Sequence, residues 1–325
     1  MPVSLAYLEQ CAADTGYPIA ALEKVTRLGE IAGEISRHPS LGDVLALKGG
    51  TALNLCFGEV PRRLSVDLDY NYVGSPERSQ MLAARPGIET DVEGIVRRRG
   101  YTTQRSTDAF AGRKLFVRYQ SVLGPEDRVE IDLNFLHRVP LDGFDSLEMW
   151  QPGELERPRV QVVSLAELCI GKLIAMLARV APRDAWDIGR LPEIADVLLT
   201  SHRFRRLFIA MSAMLDHPLS TYGIDRMRDQ LTPDVIESQL VPMLVQGSEV
   251  SADRLLDAVW RVLEPLVSLE EAEAAYVATV HQGELRPELL FPDHPELSAM
   301  VARHPAVLWK IKNVRQQMNK GDASD

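Results

Sequence analysis

The sequence predicts a mixed α/β (α+β) half followed by an all-helical half, with a mixed sheet flanked by helices in the first. Three observations carry this prediction. Apolar residues recur at helical spacing over residues 18–37. Two later stretches, 64–70 and 128–135, alternate strictly between apolar and polar residues, which is strand periodicity. From Ser164 onward the pattern is helical almost throughout. The chain has 325 residues, 46% of them apolar and 25% charged, a globular composition long enough for one large domain or two ordinary ones.

Taken in order, Ala21, Leu22, Val25, Leu28, Ile31 and Ile35 make one face of a helix. Val44 to Leu47 is a short apolar run that reads as a buried strand. It breaks at Gly49-Gly50, and Thr51-Ala52-Leu53-Asn54-Leu55 opens a helix. Gly58 to Arg63 reads as an exposed turn, followed by the strand Leu64 to Tyr70. Residues 78–99 are expected to be helical, with strands at 114–121 and 128–137. The polar, proline-containing stretch 150–160 marks a boundary between domains 1–160 and 161–325. Ser164 and Glu167 have the spacing of a capping box at the start of the helical half.

The bulk charge excludes one class of function. With a formal net charge of −10, the surface as a whole cannot hold nucleic acid by neutralising phosphates. An RNA partner would need local basic clusters. Candidates are Arg97-Arg98-Arg99, Arg113-Lys114 with Arg118, Arg203 with Arg205-Arg206, and the tail Lys310, Lys312, Arg315 and Lys320. No run of eighteen apolar residues reads as a membrane span, and the N-terminus lacks a secretory pattern. Cys11, Cys56 and Cys169 have no metal-ligand spacing and read as reduced core thiols, so a cytoplasmic protein is expected. The histidines, His137 and His202 among them, are scattered and suggest neither a ligand set nor a covalent nucleophile's base.

Asp67 and Asp69 share one face of their strand, because successive side chains point to opposite sides. Alone, such a pair fits a solvated strand as well as a metal site. The strand 128–135 places Glu130, Asp132 and Asn134 on one face in the same way. If the two strands are neighbours, three carboxylates meet, the ligand set that divalent ions acting on a triphosphate need. Glu130 and Asp132 have the same parity, so either is a candidate for the third. Gly49-Gly50 at a strand-to-helix junction lets backbone N–H groups approach a phosphate, with Thr51 as an added hydroxyl donor. In the helical half, Lys172 lies in LAELCIGKLIAML, apolar nearly all round, and so needs an anion: a phosphate or a carboxylate. Asp184 and Asp187 share a face of the next helix, beside Arg183.

Lys48-Gly49-Gly50-Thr51-Ala52-Leu53, then Arg63-Leu64-Ser65-Val66-Asp67-Leu68-Asp69, then Lys172 followed by Arg183-Asp184-Ala185-Trp186-Asp187-Ile188, form a recognisable series. It resembles the minimal nucleotidyltransferase fold of the DNA polymerase β superfamily. More narrowly, it is similar to the AbiEii/AbiGii (MenT-like) nucleotidyltransferase toxins of toxin–antitoxin and phage-defence systems. The match runs over about residues 44–190. The resemblance implies Asp67 and Asp69 as metal ligands, with Asp132 or Glu130 as the third, and Mg²⁺ or Mn²⁺ as cofactor. It implies an NTP held by Lys48, Gly49, Gly50, Thr51, Arg63 and Ser65. It implies Lys172 and Asp187 as the helical half's contribution to the active site, Asp187 orienting Lys172 or acting as a base, the former preferred. Arg183 and Asp184 are secondary. It further implies a tRNA 3′ end as acceptor and a cognate antitoxin, which in part of the family modifies a hydroxyl at the position of Ser65. The competing expectations are a small-molecule acceptor, which the acidic charge favours slightly, and a non-catalytic binding module.

Overall fold

The computed structural model describes residues 3–321, the Lys320 side chain excepted. The chain divides into two compact units: Met1–Leu168 with Glu237–Glu249, and Cys169–Ile236 with Val250–Asp325.

The first unit runs α1 (Leu5–Thr15), α2 (Ile19–Arg37), β1 (Leu45–Lys48), α3 (Gly49–Cys56), β2 (Asp67–Tyr72), α4 (Arg78–Arg98), β3 (Thr102–Arg105), β4 (Gly112–Gln120), β5 (Glu126–Asn134), β6 (Phe144–Glu148) and β7 (Arg159–Val163). The strands form one mixed seven-stranded sheet in the order β3-β4-β5-β2-β1-β7-β6. α2 lies against β7, β5 and β2, and its apolar stripe from Leu22 to Ile35 is buried. On β2 and β5, Leu68, Tyr70, Ile131 and Leu133 are buried, so the alternation in the sequence becomes one apolar and one polar sheet face.

Several expected boundaries shift, each for a physical reason. β2 begins at Asp67 rather than Leu64, because the Leu64 N–H donates to the Met243 carbonyl (2.8 Å) instead of to a strand. β5 stops at Asn134 rather than 137. The Asn134 Oδ1 accepts from the Leu136 and His137 N–H groups (both 2.9 Å), a side-chain turn that ends the ladder. The 58–63 turn is exposed at Glu59 and Val60, but Arg63 is only 2% exposed. Residues 150–160 lie between two further strands. β7 pairs parallel with β1 at Leu47–Val162 and antiparallel with β6, so the sheet continues beyond residue 160.

α5 (Leu165–Arg179) starts in the first unit and continues into the second. Ser164 Oγ accepts from the Glu167 N–H (3.3 Å), but the Glu167 carboxylate takes the Leu141 N–H (2.9 Å), so only half of the expected capping box forms. The second unit is helical: α6 (Pro182–Ile188), α7 (Pro192–Leu199), α8 (His202–Ser212), α9 (Ile224–Gln230), α10 (Pro233–Gln239, its end returning to the first unit), α11 (Ala252–Val267), α12 (Glu271–His281), α13 (Pro295–Arg303) and α14 (Pro305–Gly321). α11 buries Leu255, Leu256, Val259, Leu263 and Leu266 and packs against α6, α8 and α9. No helix among the described residues is long and apolar enough to cross a membrane.

Candidate active site

Register decides which of the strand carboxylates meet. β2 lies parallel to β5 with Asp67 opposite Glu130 and Asp69 opposite Asp132. β1 lies antiparallel on the other side of β2, with Lys48 opposite Asp69, and β4 on the other side of β5, with Lys114 opposite Asp132. Residues opposite one another share a face, on strands roughly 4.8 Å apart. The sheet therefore carries a row Lys48, Asp69, Asp132, Lys114, two carboxylates bracketed by two ammonium groups, with Asp67 and Glu130 one step along.

The two candidates for the third carboxylate sit differently. Glu130 is engaged by Lys114 Nζ (2.8 Å) and Arg128 (3.4 Å). Asp132 has no such ion pair among the described residues and feels Lys48 and Lys114 through space. Burial pushes its carboxyl above the usual range, Asp69 adds to this, and the two lysines oppose it. A buried carboxyl pushed upward beside a second carboxylate is what a bound cation relieves.

The glycine turn lies against this row. Gly49 has φ +72°, and a Cβ there would run into Asp69 Oδ2. A Cβ on Gly50 would stand 2.7 Å from Arg63 Nη2 and 3.0 Å from Ser65 Oγ. Gly49 is thus required by the turn and by close approach, Gly50 by close approach alone. Two expected nucleotide contacts have other geometry. Thr51 is fully buried and its hydroxyl donates to the Asp67 carbonyl, tying α3 to the start of β2. Arg63 is not on an exposed turn: it donates to the Leu64 carbonyl (2.9 Å) beneath Gly50 and Ser65.

Sequence reasoning missed Asn71 and Glu167. Asn71 continues the Asp67, Asp69 parity and pairs in register with Asn134. It is 2% exposed, donates to Glu167 Oε1 (3.4 Å), and its own Oδ1 has no partner among the described residues. Burial raises the Glu167 carboxyl to about 7, opposed by the Leu141 N–H and by Lys48. Extending the alternation by two residues would have found Asn71; nothing local marks Glu167 as more than a capping residue.

In the second unit, Lys172 is buried between Asp184 (2.9 Å) and Asp187 (2.8 Å), and Arg179 also binds Asp184 (2.7 Å). Burial pushes the Asp184 carboxyl up, but Lys172 and Arg179 together pull it further down, below its ordinary value. The anion that Lys172 required is thus a carboxylate pair within its own unit. Arg183 stands on α6 beside Asp184, half-buried.

The profile of the family described as "Nucleotidyl transferase AbiEii toxin, Type IV TA system" matches residues 35–264. The chain belongs to this AbiEii family. It is accordingly a nucleotidyltransferase of a toxin–antitoxin system. Its fold is similar to that of MenT4, a nucleotidyltransferase toxin from Mycobacterium tuberculosis H37Rv. The TM-score is 0.61 at 20% identity, over 92% of this chain and 98% of that one. No curated protein matches it. The AbiEii match spans both the carboxylate strands and the Lys172 cluster. Among the described residues, no trio of His, Cys, Asp and Glu side chains is already drawn together as a metal shell. What the sheet offers an ion is the half-shell of carboxylates on β2 and β5. Substrate phosphates commonly complete such a set around Mg²⁺.

Proposed function

We propose that this AbiEii member transfers a nucleoside monophosphate from an NTP to a hydroxyl of an RNA acceptor, the 3′ end of tRNA, in the cytoplasm. The observation that carries this reading is the row Lys48, Asp69, Asp132, Lys114 beside the Gly49-Gly50 turn. A divalent ion, Mg²⁺ or Mn²⁺, held by Asp67, Asp69 and Asp132, would supply charge neutralisation at the reacting phosphate and lower the acceptor hydroxyl's pKa. The backbone N–H groups at Gly49 and Gly50 and the Ser65 hydroxyl bind the triphosphate, and Lys48 balances its charge from the adjoining strand. Arg63 and Thr51 act behind them, holding the turn and the start of β2 in place. The acceptor oxygen attacks the α-phosphorus, the α–β phosphoanhydride breaks, and pyrophosphate leaves. Positioning and charge suffice for such a displacement.

Lys172 and Asp187 belong to this reading as the helical unit's share, Asp187 fixing the lysine rather than acting as a base. A cognate antitoxin also belongs to it. Ser65, with its hydroxyl against Gly50, is the residue whose covalent modification would block the triphosphate. Mass spectrometry of the toxin after antitoxin exposure should find the added group on Ser65.

The acceptor is tested by incubating the protein with each NTP, labelled at the α- or γ-phosphate, Mg²⁺ and total RNA. Label from the α-position only, on tRNA, lost after periodate oxidation of the 3′ ends, is the expected result. Label appearing only on small molecules would refute the RNA acceptor while retaining the chemistry.

A further inference from the structure

The basic runs of this acidic chain are largely neutralised from within. Arg99 binds Glu34 (2.8 Å), Arg113 binds Glu89 (3.1 Å), Lys114 binds Glu130 (2.8 Å) and Arg118 binds Glu126 (3.3 Å). On α8, Arg205 is clamped to Glu273 (2.6 Å), and Arg206 acts on the same carboxylate. The last helix differs. Between Glu296 and Asp322 the sequence has no acidic residue, while it carries Arg303, Lys310, Lys312, Arg315 and Lys320. In a chain of net charge −10, this stretch is a segregated block of positive charge.

The cations of this block are held by backbone rather than by carboxylates. Arg303 donates to the Ala299 carbonyl (3.1 Å), Lys310 to that of Leu215 (2.8 Å) and Arg315 to that of Gly283 (2.7 Å). Neither these three nor Lys312 form an ion pair with a carboxylate among the described residues. α14 packs against α12 and α13 and buries Val307, Ile311 and Val314. Its outward stripe is Leu308, Trp309, Lys312, Arg315 and Gln316, all exposed. Trp309, Lys312 and Gln316 stand one above another at helical spacing, on the side away from the buried residues. The Trp309 indole is 47% exposed and has no ring contact or hydrogen bond among the described residues. An exposed indole alone carries no meaning; one set among cations with no acid nearby in sequence is a different surface.

We infer that the outward stripe of α14 is an RNA-docking surface, on which an unpaired base of the acceptor stacks against Trp309 and its flanking phosphates meet Lys312 and Arg315. The inference rests on the RNA-acceptor reading and goes beyond it in naming where the RNA is held. A flat ring beside cations is the combination that binds single-stranded nucleic acid: the ring accepts any base, and the cations follow the backbone. The stripe fits a protein groove less well. A helix that docks into such a groove offers apolar anchors at i, i+3 or i+4, and i+7. Here those positions read Trp309, Lys312 and Gln316, or Leu308, Lys312 and Arg315, so neither row is apolar beyond its first residue.

The test is the binding of fluorescently labelled tRNA to the full chain, followed by anisotropy across a series of NaCl concentrations. Trp309→Ala should raise Kd at least about fivefold, the loss of one stacked base, and Trp309→Phe should restore most of the binding. Lys312→Ala should flatten the plot of log K against log[NaCl] by about 0.7–0.9, the loss of one phosphate contact. Arg228→Ala, whose charge is already paired with Asp225 (2.6 Å), should leave both unchanged. In nucleotide transfer, Trp309→Ala should raise KM for tRNA and leave KM for the NTP as in wild type. Thermal melts of each variant exclude loss of fold as the cause. Unchanged Kd and slope in Trp309→Ala/Lys312→Ala, with tRNA binding intact in the wild type, would overturn the surface and leave the acceptor reading standing. A double variant that keeps its tRNA affinity but no longer binds the cognate antitoxin would overturn it in favour of a protein interface. Absence of tRNA binding by the wild type would overturn the acceptor reading itself and the surface with it.

Discussion

With φ at +72° and an aspartate oxygen where a Cβ would stand, Gly49 joins the backbone of the turn to the chemistry of the site. Gly49→Ala should destabilise the protein by roughly 1–3 kcal/mol through its left-handed conformation alone. It should also displace the Asp69 carboxylate, so activity should fall more than the melting temperature implies. Glu167 offers a prediction in pH. Its carboxyl is raised from the ordinary value near 4.5 to about 7 in the folded chain, chiefly by burial. A group raised on folding contributes stability that is full below its unfolded pKa and lost as pH rises through its folded pKa. Wild type should therefore lose up to about 3 kcal/mol from this group between pH 5 and pH 8. Glu167→Gln, melted alongside wild type at both pH values, should show a smaller loss. Equal slopes would mean that Glu167 ionises normally.

At the scale of elements, the clearest case is the α5–α6 pair. Lys172, Asp184 and Asp187 are held together with Arg179, so removing the lysine charge takes the cation they share away from two buried carboxylates. Lys172→Met should cost about 3–5 kcal/mol by urea denaturation, with Lys172→Arg costing less. This cluster was legible in the sequence because a lysine in an apolar helix demands an anion, and i, i+3 acids on the next helix supply one. The sheet was legible in part. Alternation with period two puts Asp67 with Asp69, and Glu130 with Asp132, on common faces. It does not say which strands are neighbours, and only the register brings Asp69 opposite Asp132. β6 and β7 escaped notice because the first is an exposed edge and the second is short and flanked by prolines and charge. Arg63 was misjudged because its neighbours Glu59 and Arg62 are polar. It is buried with its guanidinium against Gly50, a residue of the preceding helix that local periodicity does not bring to it.

At the scale of the whole molecule, the first unit is discontinuous in sequence. Residues 237–249 return to it, burying Leu240 and Leu244, with backbone hydrogen bonds from Leu64 N–H to Met243 (2.8 Å) and from Gln246 N–H to Gly16 (2.7 Å). A fragment ending at residue 168 should thus melt well below the same fragment with 237–249 appended through a flexible linker, a comparison circular dichroism can make. No local pattern announces such a return, since the segment reads as one more helical connection. The proposed function makes Asp67, Asp69 and Asp132 one carboxylate site and leaves Glu130, paired with Lys114, outside it. It is tested most directly by the rate of α-labelled nucleotide transfer in matched amide variants. Asp67→Asn, Asp69→Asn and Asp132→Asn should each lower the rate at least about a hundredfold with melting temperatures preserved, while Glu130→Gln stays within a few-fold of wild type. A tolerated Asp132→Asn beside an inactive Glu130→Gln would contradict it.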